Sequence, residues 1–367
     1  MGEFFNVNGT SIVDSSETLY VRSVRANVLS FASFGPGGLG TNKSAGYSAF
    51  GNEGIPPSSP TMLHAVQKIN FANDATSTFI SAPTGIGRKS SSSVGSQTDG
   101  FVTAGHAIPS PGPAQYKSSG LKYPFASGAA VSPVSNISTV IRYNHSSCQS
   151  MNDGYNIGGL PSSPSATTVI DKFPFASSHT AVSFSSLSAP QTNNSVRQTA
   201  GASSLTHGYV AGGITTPPFT NLSSIYKFPF TNSVVSAYNV ASLVTLKSLA
   251  CGVPNGEFAY IGGGDTPPSA IYASDSIEKF SMVTDANATD IGNLSSFKRE
   301  LTPHVSATHG YMAGGVGPNP SSGGGPPPYA YGIAINTVDK FPFSSDGNAS
   351  DVADLVSNQG SGAGTQG

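Results

Sequence analysis

The chain alternates short runs of branched and aromatic residues with stretches of Gly, Pro, Ser and Asn, and one pattern keeps returning: Val-Ile-Asp-Lys-Phe-Pro-Phe at Val169–Phe175. Near-copies stand at Ile225–Phe230 and Val338–Phe343, with weaker forms at Val66–Phe71, Leu121–Phe125 and Ile277–Met282. Short apolar and polar runs bounded by turn formers read as strands. In a second pattern, an aromatic residue precedes a pair ending in glycine: Tyr47 before Phe50-Gly51, Phe101 before Ala104-Gly105, Tyr155 before Gly158-Gly159, Tyr209 before Gly212-Gly213 and Tyr311 before Gly314-Gly315. The fifth copy reads as Ala259 before Gly262-Gly263. These landmarks are spaced by 54, 54, 54, 50 and 52 residues. A fixed period of this length marks a repeat architecture.

A third pattern is a cation after each repeated lysine. Lys68, Lys122, Lys227 and Lys279 are followed by Arg88, Arg142, Lys247 and Arg299, and Lys172 by Arg197 after a longer gap. Runs of small residues come next, then Asp99-Gly100, Asp153-Gly154, His207-Gly208, Asn255-Gly256 and His309-Gly310, which read as hairpin turns. Each repeat therefore predicts four antiparallel strands. The first, built of small side chains, suits the centre of a ring where sheets converge; the second ends in the glycine pair and the third carries the lysine. The expected fold is all-β: a β-propeller of six four-stranded blades, with seven the less favoured count. The expected boundaries are an arm over 1–27 with a strand at Leu19–Val21, the propeller over 28–360, and a tail over 361–367.

Composition supports this. Among 367 residues there are 43 Gly, 27 Pro and no Trp, unsuited to long helices. A net charge of −2 gives no reason to expect nucleic acid or an anionic membrane. No apolar run approaches a membrane span, and the N-terminus lacks the basic start and apolar core of a secretory signal. Cys148 and Cys251 fall at similar places in two repeats and read as small buried thiols.

The glycine-pair strand, the hydrophobic-acid-x-aromatic strand (Ile170-Asp-Lys-Phe173, Val338-Asp-Lys-Phe341) and the following cation resemble the kelch family of β-propellers. The tryptophan usual after the third strand is missing, and Phe173-Pro174-Phe175 and its copies are expected to take over contact between blades. The Lys-Phe-Pro-Phe variant, with Asp-Ala-Asn-Ala-Thr-Asp at 285–290, is similar to repeats in structural proteins of marine bacteriophages. The resemblance implies a virion protein associated with the tail, made in the host cytoplasm, whose partners are other virion proteins and a host-surface glycan or protein.

Candidate chemistry is sparse. The repeated Lys68, Lys122, Lys172, Lys227, Lys279 and Lys340 are expected to lay their stems on aromatic residues of the neighbouring blade and pair with acids such as Asp171, Glu278 or Asp339. The 285–290 segment alternates oxygen ligands but lacks the glycine and distal glutamate of an EF-hand loop, so a turn is expected. His207 and His309 fall where other repeats have Asp, as turn residues do. No serine nucleophile elbow and no histidine metal spacing is evident, so neither enzyme activity nor a cofactor is expected. The loops after the second strands differ most between repeats and emerge on one face, where binding is expected. Tyr329 and Tyr331, with Pro217, Pro218 and Pro267, are the candidate contacts. The alternatives are an intracellular protein-binding scaffold and a carbohydrate-binding or carbohydrate-active propeller.

Overall fold

The computed structural model describes residues 6–7, 10–11, 43–52, 63–81, 87–107, 115–126, 131–161, 166–176, 178–188, 196–215, 219–231, 233, 236–267, 272–317 and 332–366. Within residues 1–31, a separate unit, Asn6–Val7 pairs antiparallel with Thr10–Ser11. The expected strand at Leu19–Val21 lies outside the described residues. The remainder is a six-bladed β-propeller of antiparallel sheets, with no helix among the described residues.

The inner strands, in ring order, are Ala363–Gln366, Ser92–Gly95, Ser146–Gln149, Ala200–Ser203, Cys251–Pro254 and Thr302–Val305. The second strands are Ala45–Ala49, Asp99–Thr103, Asp153–Ile157, His207–Ala211, Phe258–Gly262 and His309–Ala313. Next come the lysine strands Val66–Asn70, Gly120–Pro124, Val169–Pro174, Leu222–Pro229, Tyr272–Ser281 and Thr337–Pro342. Small inner residues are needed because neighbouring blades nearly touch: a methyl group on Gly201 would meet the Ser147 carbonyl oxygen at 2.2 Å.

The first blade corrects the expected boundaries. Residues 361–366 are not part of a tail. Ala363–Gln366 pairs with Ala45–Ala49 and supplies blade one's inner strand, so the two ends of the propeller share one sheet. Closure in this way covers the inner edge of Ala45–Ala49 and gives blade one the same strand order as the others.

Two further readings of glycine positions are corrected. In blade five the aromatic landmark is Tyr260, which faces Lys279 as Tyr311 faces Lys340. Its glycine pair is Gly263-Gly264, with φ of 65° and 95° against 62° and 99° at Gly314-Gly315. The three consecutive glycines at 262–264 hid the register. Gly100, Gly154, Gly208 and Gly310 are not turn glycines. A methyl group there would come within 2.3–2.4 Å of the Tyr123, Phe173, Phe228 or Phe341 ring on the next strand. The chain reverses just before them, where Ser96, Ser150, Ser204 and Ser306 each donate N–H to the carbonyl three residues on at 2.8–2.9 Å. Cys148 and Cys251 are buried and free but two positions apart in register, since Cys148 faces Tyr155 and Cys251 faces Gly262.

Adjacent blades meet through two repeated contacts. The second-strand aromatic packs on the phenylalanine that ends the lysine motif of the next blade, as expected: Tyr47 on Phe125, Phe101 on Phe175, Tyr155 on Phe230, Tyr260 on Phe343 and Tyr311 on Phe71, with centroids 4.5–5.3 Å apart. The second contact is a clasp. The residue leaving one blade meets the residue before the lysine of the next: Arg142 with Asp171 at 2.6 Å, Lys247 with Glu278 at 3.1 Å and Lys298 with Asp339 at 2.8 Å. These pairs are buried, and each carboxylate also accepts from backbone N–H and hydroxyl groups of the preceding blade, such as Ser295 N and Oγ on Asp339. Elsewhere the same positions hold Val196 and Tyr226, Gln359 and Gln67, or Arg88 and Leu121. Lys298, rather than Arg299, is thus the repeat cation of blade five, and Val196 rather than Arg197 occupies that place before blade four.

Candidate functional site

The six repeated lysines do not form an open ring of cations. Each stands directly opposite the aromatic of its own second strand, with the ammonium 5.5–5.9 Å from the ring centroid at Tyr47, Phe101, Tyr155, Tyr209, Tyr260 and Tyr311. Five also end on a carboxylate: Lys122 on Asp99, Lys172 on Asp153, Lys227 on Asp285, Lys279 on Asp346 and Lys340 on Asp74. The expected stacking therefore occurs within a blade rather than across to the next. The acids differ too, because Asp171, Glu278 and Asp339 adjoin the lysines in sequence and side-chain alternation turns them to the opposite sheet face.

The 285–290 segment is a clasp as well. Asp285 accepts from Lys227 and the Tyr209 hydroxyl, and Asn287 accepts from Ser242 N. His207 and His309 sit beside the hairpin corners and bond the hydroxyls of Thr206 and Thr308. Among the described residues no group of three or more His, Cys, Asp or Glu side chains is placed to hold a metal ion.

Of the loop candidates, Tyr329, Tyr331, Pro217 and Pro218 lie outside the described residues, and Pro267 is exposed at the start of its loop. That loop face also carries the blade-to-blade connections and the mouth of the channel. Six residues there adopt a left-handed backbone: Ser90, Asn144, Gln198, Leu249, Glu300 and Ser361, with φ of 51–58°. The conformation turns each N–H toward the previous blade. Asn144 donates to Ser90, Gln198 to Asn144, Leu249 to Gln198, Glu300 to Leu249 and Ser90 to Ser361, at 2.7–3.1 Å. The Ser361 hydroxyl donates to the Glu300 carboxylate. Inside this belt is a cavity of about 120 Å³ lined by hydroxyl and amide groups such as Ser91, Asn144 and Gln198 on one part of its wall and by apolar residues such as Leu249, Ala250 and Leu301 on another.

Outside the belt the two halves differ. Lys89, Tyr143 and Arg197 immediately precede Ser90, Asn144 and Gln198. Tyr143 stacks on Tyr116 with centroids 4.6 Å apart and planes at 15°, and His106 lies 5.0 Å from Tyr116. The Arg197 guanidinium sits 5.4 Å over the Phe219 ring. Burial and then the neighbouring Tyr116 push the Tyr143 hydroxyl up, with Arg197 opposing them. Burial and then Lys89 hold the His106 imidazole below its usual range. The result is an aromatic and cationic arc over blades two to four. Tyr116 is 38% and Phe219 63% exposed.

Across the mouth the corresponding connectors are Ser248 and Arg299, the latter gripping the buried Asp265 through both carboxylate oxygens at 2.9 and 3.1 Å. The primary structure carries the same asymmetry: residues 75–264 hold nine Lys and Arg against four Asp and Glu, and residues 265–367 hold four against ten. No protein-family model matches this chain, and no curated protein matches it. Function is therefore argued from this geometry.

Proposed function

We propose that this propeller is a non-enzymatic binding module of a phage particle, associated with the tail, that meets its partner with the mouth face. The observation that carries the binding reading is the contrast between the blade walls and the mouth. The repeated lysines stack inside their own blades, and buried cations such as Lys247 and Lys298 are neutralised between blades. The mouth leaves Tyr116 and Phe219 exposed, beside half-buried Lys89 and Arg197 that pair with no carboxylate among the described residues, on a hydrogen-bonded belt. Exposed aromatic residues beside arginine, held on a stiff scaffold, are the usual makings of a recognition surface. The virion placement rests on the Lys-Phe-Pro-Phe repeats and their resemblance to phage structural proteins.

Mass spectrometry and antibody labelling of purified particles test the placement, and binding of the labelled chain to host cells tests the face. The expected result is labelling at the tail, with cell binding reduced by Phe219→Ala and unchanged by Lys172→Gln on the blade wall. Absence from particles would overturn the virion role. Cell binding indifferent to Phe219 would overturn the choice of face.

A further inference from the structure

We infer that the arc made by Lys89, Tyr116, Tyr143, Arg197 and Phe219 binds an acidic saccharide chain, one whose sugars carry carboxylate or sulfate groups. The inference rests on the mouth-face reading and adds a ligand class to it.

Three observations converge. Tyr116 and Phe219 are exposed rings that offer apolar surface to the C–H groups of a pyranose, and each is held in place by a second group, Tyr143 or Arg197, packed against it. Between them and the channel stand Asn144, Gln198 and Ser90, whose amides and hydroxyl suit the alternating donors and acceptors of sugar hydroxyls. Finally, Lys89, Lys117 and Arg197 pair with no carboxylate among the described residues. The carboxylates of residues 75–247 are used elsewhere: Asp99 and Asp153 hold Lys122 and Lys172, and Asp171 is buried on Arg142. This half of the mouth is therefore positive although the whole chain is not.

A cationic site lined with rings also suits single-stranded nucleic acid. Three cations fall short of the roughly six to ten phosphate contacts that make nucleic-acid binding strong and steeply salt-dependent. They match instead the sparser charge of a glycan with one acidic group per sugar or fewer, where stacking and hydroxyl contacts supply the rest.

The test is calorimetric titration of the purified full chain with four probes: a uronate hexasaccharide, a sulfated galactan hexasaccharide, a neutral glucan hexasaccharide and a 20-residue oligothymidylate. The expected outcome is binding to one or both acidic saccharides, at least about tenfold tighter than to the neutral one and weakening as salt is raised. Which acidic probe wins identifies carboxylate or sulfate. Tyr116→Ala and Arg197→Gln should each weaken that binding about tenfold, the scale of one lost stacking or charge-assisted contact. Their thermal midpoints should be unchanged, and Lys172→Gln should bind as the parent does. Equal affinity for the neutral probe, tightest binding to the oligonucleotide, indifference to both arc variants, or no heat with either acidic probe would each overturn the inference. If host cells are still bound through the mouth face in the last case, the reading of the face stands and only the ligand class falls.

Discussion

Between blades five and six, Lys298 and Asp339 meet at 2.8 Å with neither side chain exposed. The same two positions between blades three and four hold Val196 and Tyr226, both buried in an apolar cluster. Between six and one they are Gln359 and Gln67. The chemistry of the seam changes, but in these three seams both partners change together. A charge meets a charge and an apolar group an aromatic one, whereas the two amides bond elsewhere, Gln359 donating to the Phe50 carbonyl and Gln67 to the Ser357 carbonyl. Between one and two, Arg88 lies at the place opposite Leu121 and donates to the Gly87 carbonyl instead. The comparison therefore teaches that a polar group in a seam must find a partner nearby, and that the ion pair is one solution among several rather than the source of the ring's stability.

The strongest way to break that idea is to remove a seam's partner strand altogether. Deleting residues 361–366 should abolish cooperative unfolding, because blade one loses its inner strand and the inner strand of blade six loses its partners Thr365 and Gln366. Circular dichroism against temperature reads this directly.

Next in size is a mismatched seam. Asp339→Ala leaves the Lys298 ammonium buried without its carboxylate and should cost about 3–5 kcal/mol in urea unfolding. A loss below about 1 kcal/mol would mean that the cation finds water or another acceptor.

The seam around His304 sharpens the comparison through pH. Its Nδ1–H donates to the Thr365 carbonyl and its Nε2 accepts from the Ser48 hydroxyl, so the folded imidazole is neutral. Burial lowers its pKa to about 4, from the 6.5 of a free imidazole. Between those values the unfolded chain binds the proton and the folded one does not. The contribution is therefore intact above pH 6.5 and lost as pH falls toward 4, on the order of 3 kcal/mol. Asp265, raised to about 6 by burial, works in the opposite direction over much of this window. The test is accordingly the difference between parent and His304→Gln in urea midpoints at pH 7 and 4.5, with the smaller drop expected in the variant.

The smallest effect belongs to the matched exchange. Carrying the Val196 and Tyr226 pair into the other seam, as Lys298→Val with Asp339→Tyr, should leave stability within about 2 kcal/mol of the parent, well short of the single Asp339→Ala. If the double variant unfolds as readily as the single one, matching is not the rule and the ion pair is required in its own right.

Much of this architecture is legible in the primary structure, because each blade repeats its landmarks at nearly constant spacing and the Lys-Phe-Pro-Phe motif sets a strand register. The errors arise where local repetition is ambiguous or where partners are far apart in sequence. Three glycines at 262–264 hide a one-residue shift, Lys298-Arg299 offers two adjacent cations, and Ala363–Gln366 finds its partner more than 300 residues away. Gly100 and its equivalents look like turn residues because both roles require glycine, and only the opposing ring separates them. The arc was missed for a different reason. Tyr116, Tyr143 and Phe219 stand outside the repeated motifs and meet only when three blades are side by side. The available signal was the scarcity of acids between residues 75 and 264, which an overall charge of −2 conceals.

The shared sheet of blade one also sets an order of events. Its outer three strands are complete by Ser81, but the strand that covers their inner edge begins at Ala363. At about 5–20 residues per second, synthesis leaves that edge waiting for roughly 15–55 s. Throughout this interval the edge left without its partner is Ala45-Gly-Tyr-Ser-Ala49, where every side chain but Tyr47 is small. Arrival of the last strand then converts an open row of blades into a ring in one step, so the final residues of the propeller act as its latch in time as well as in space.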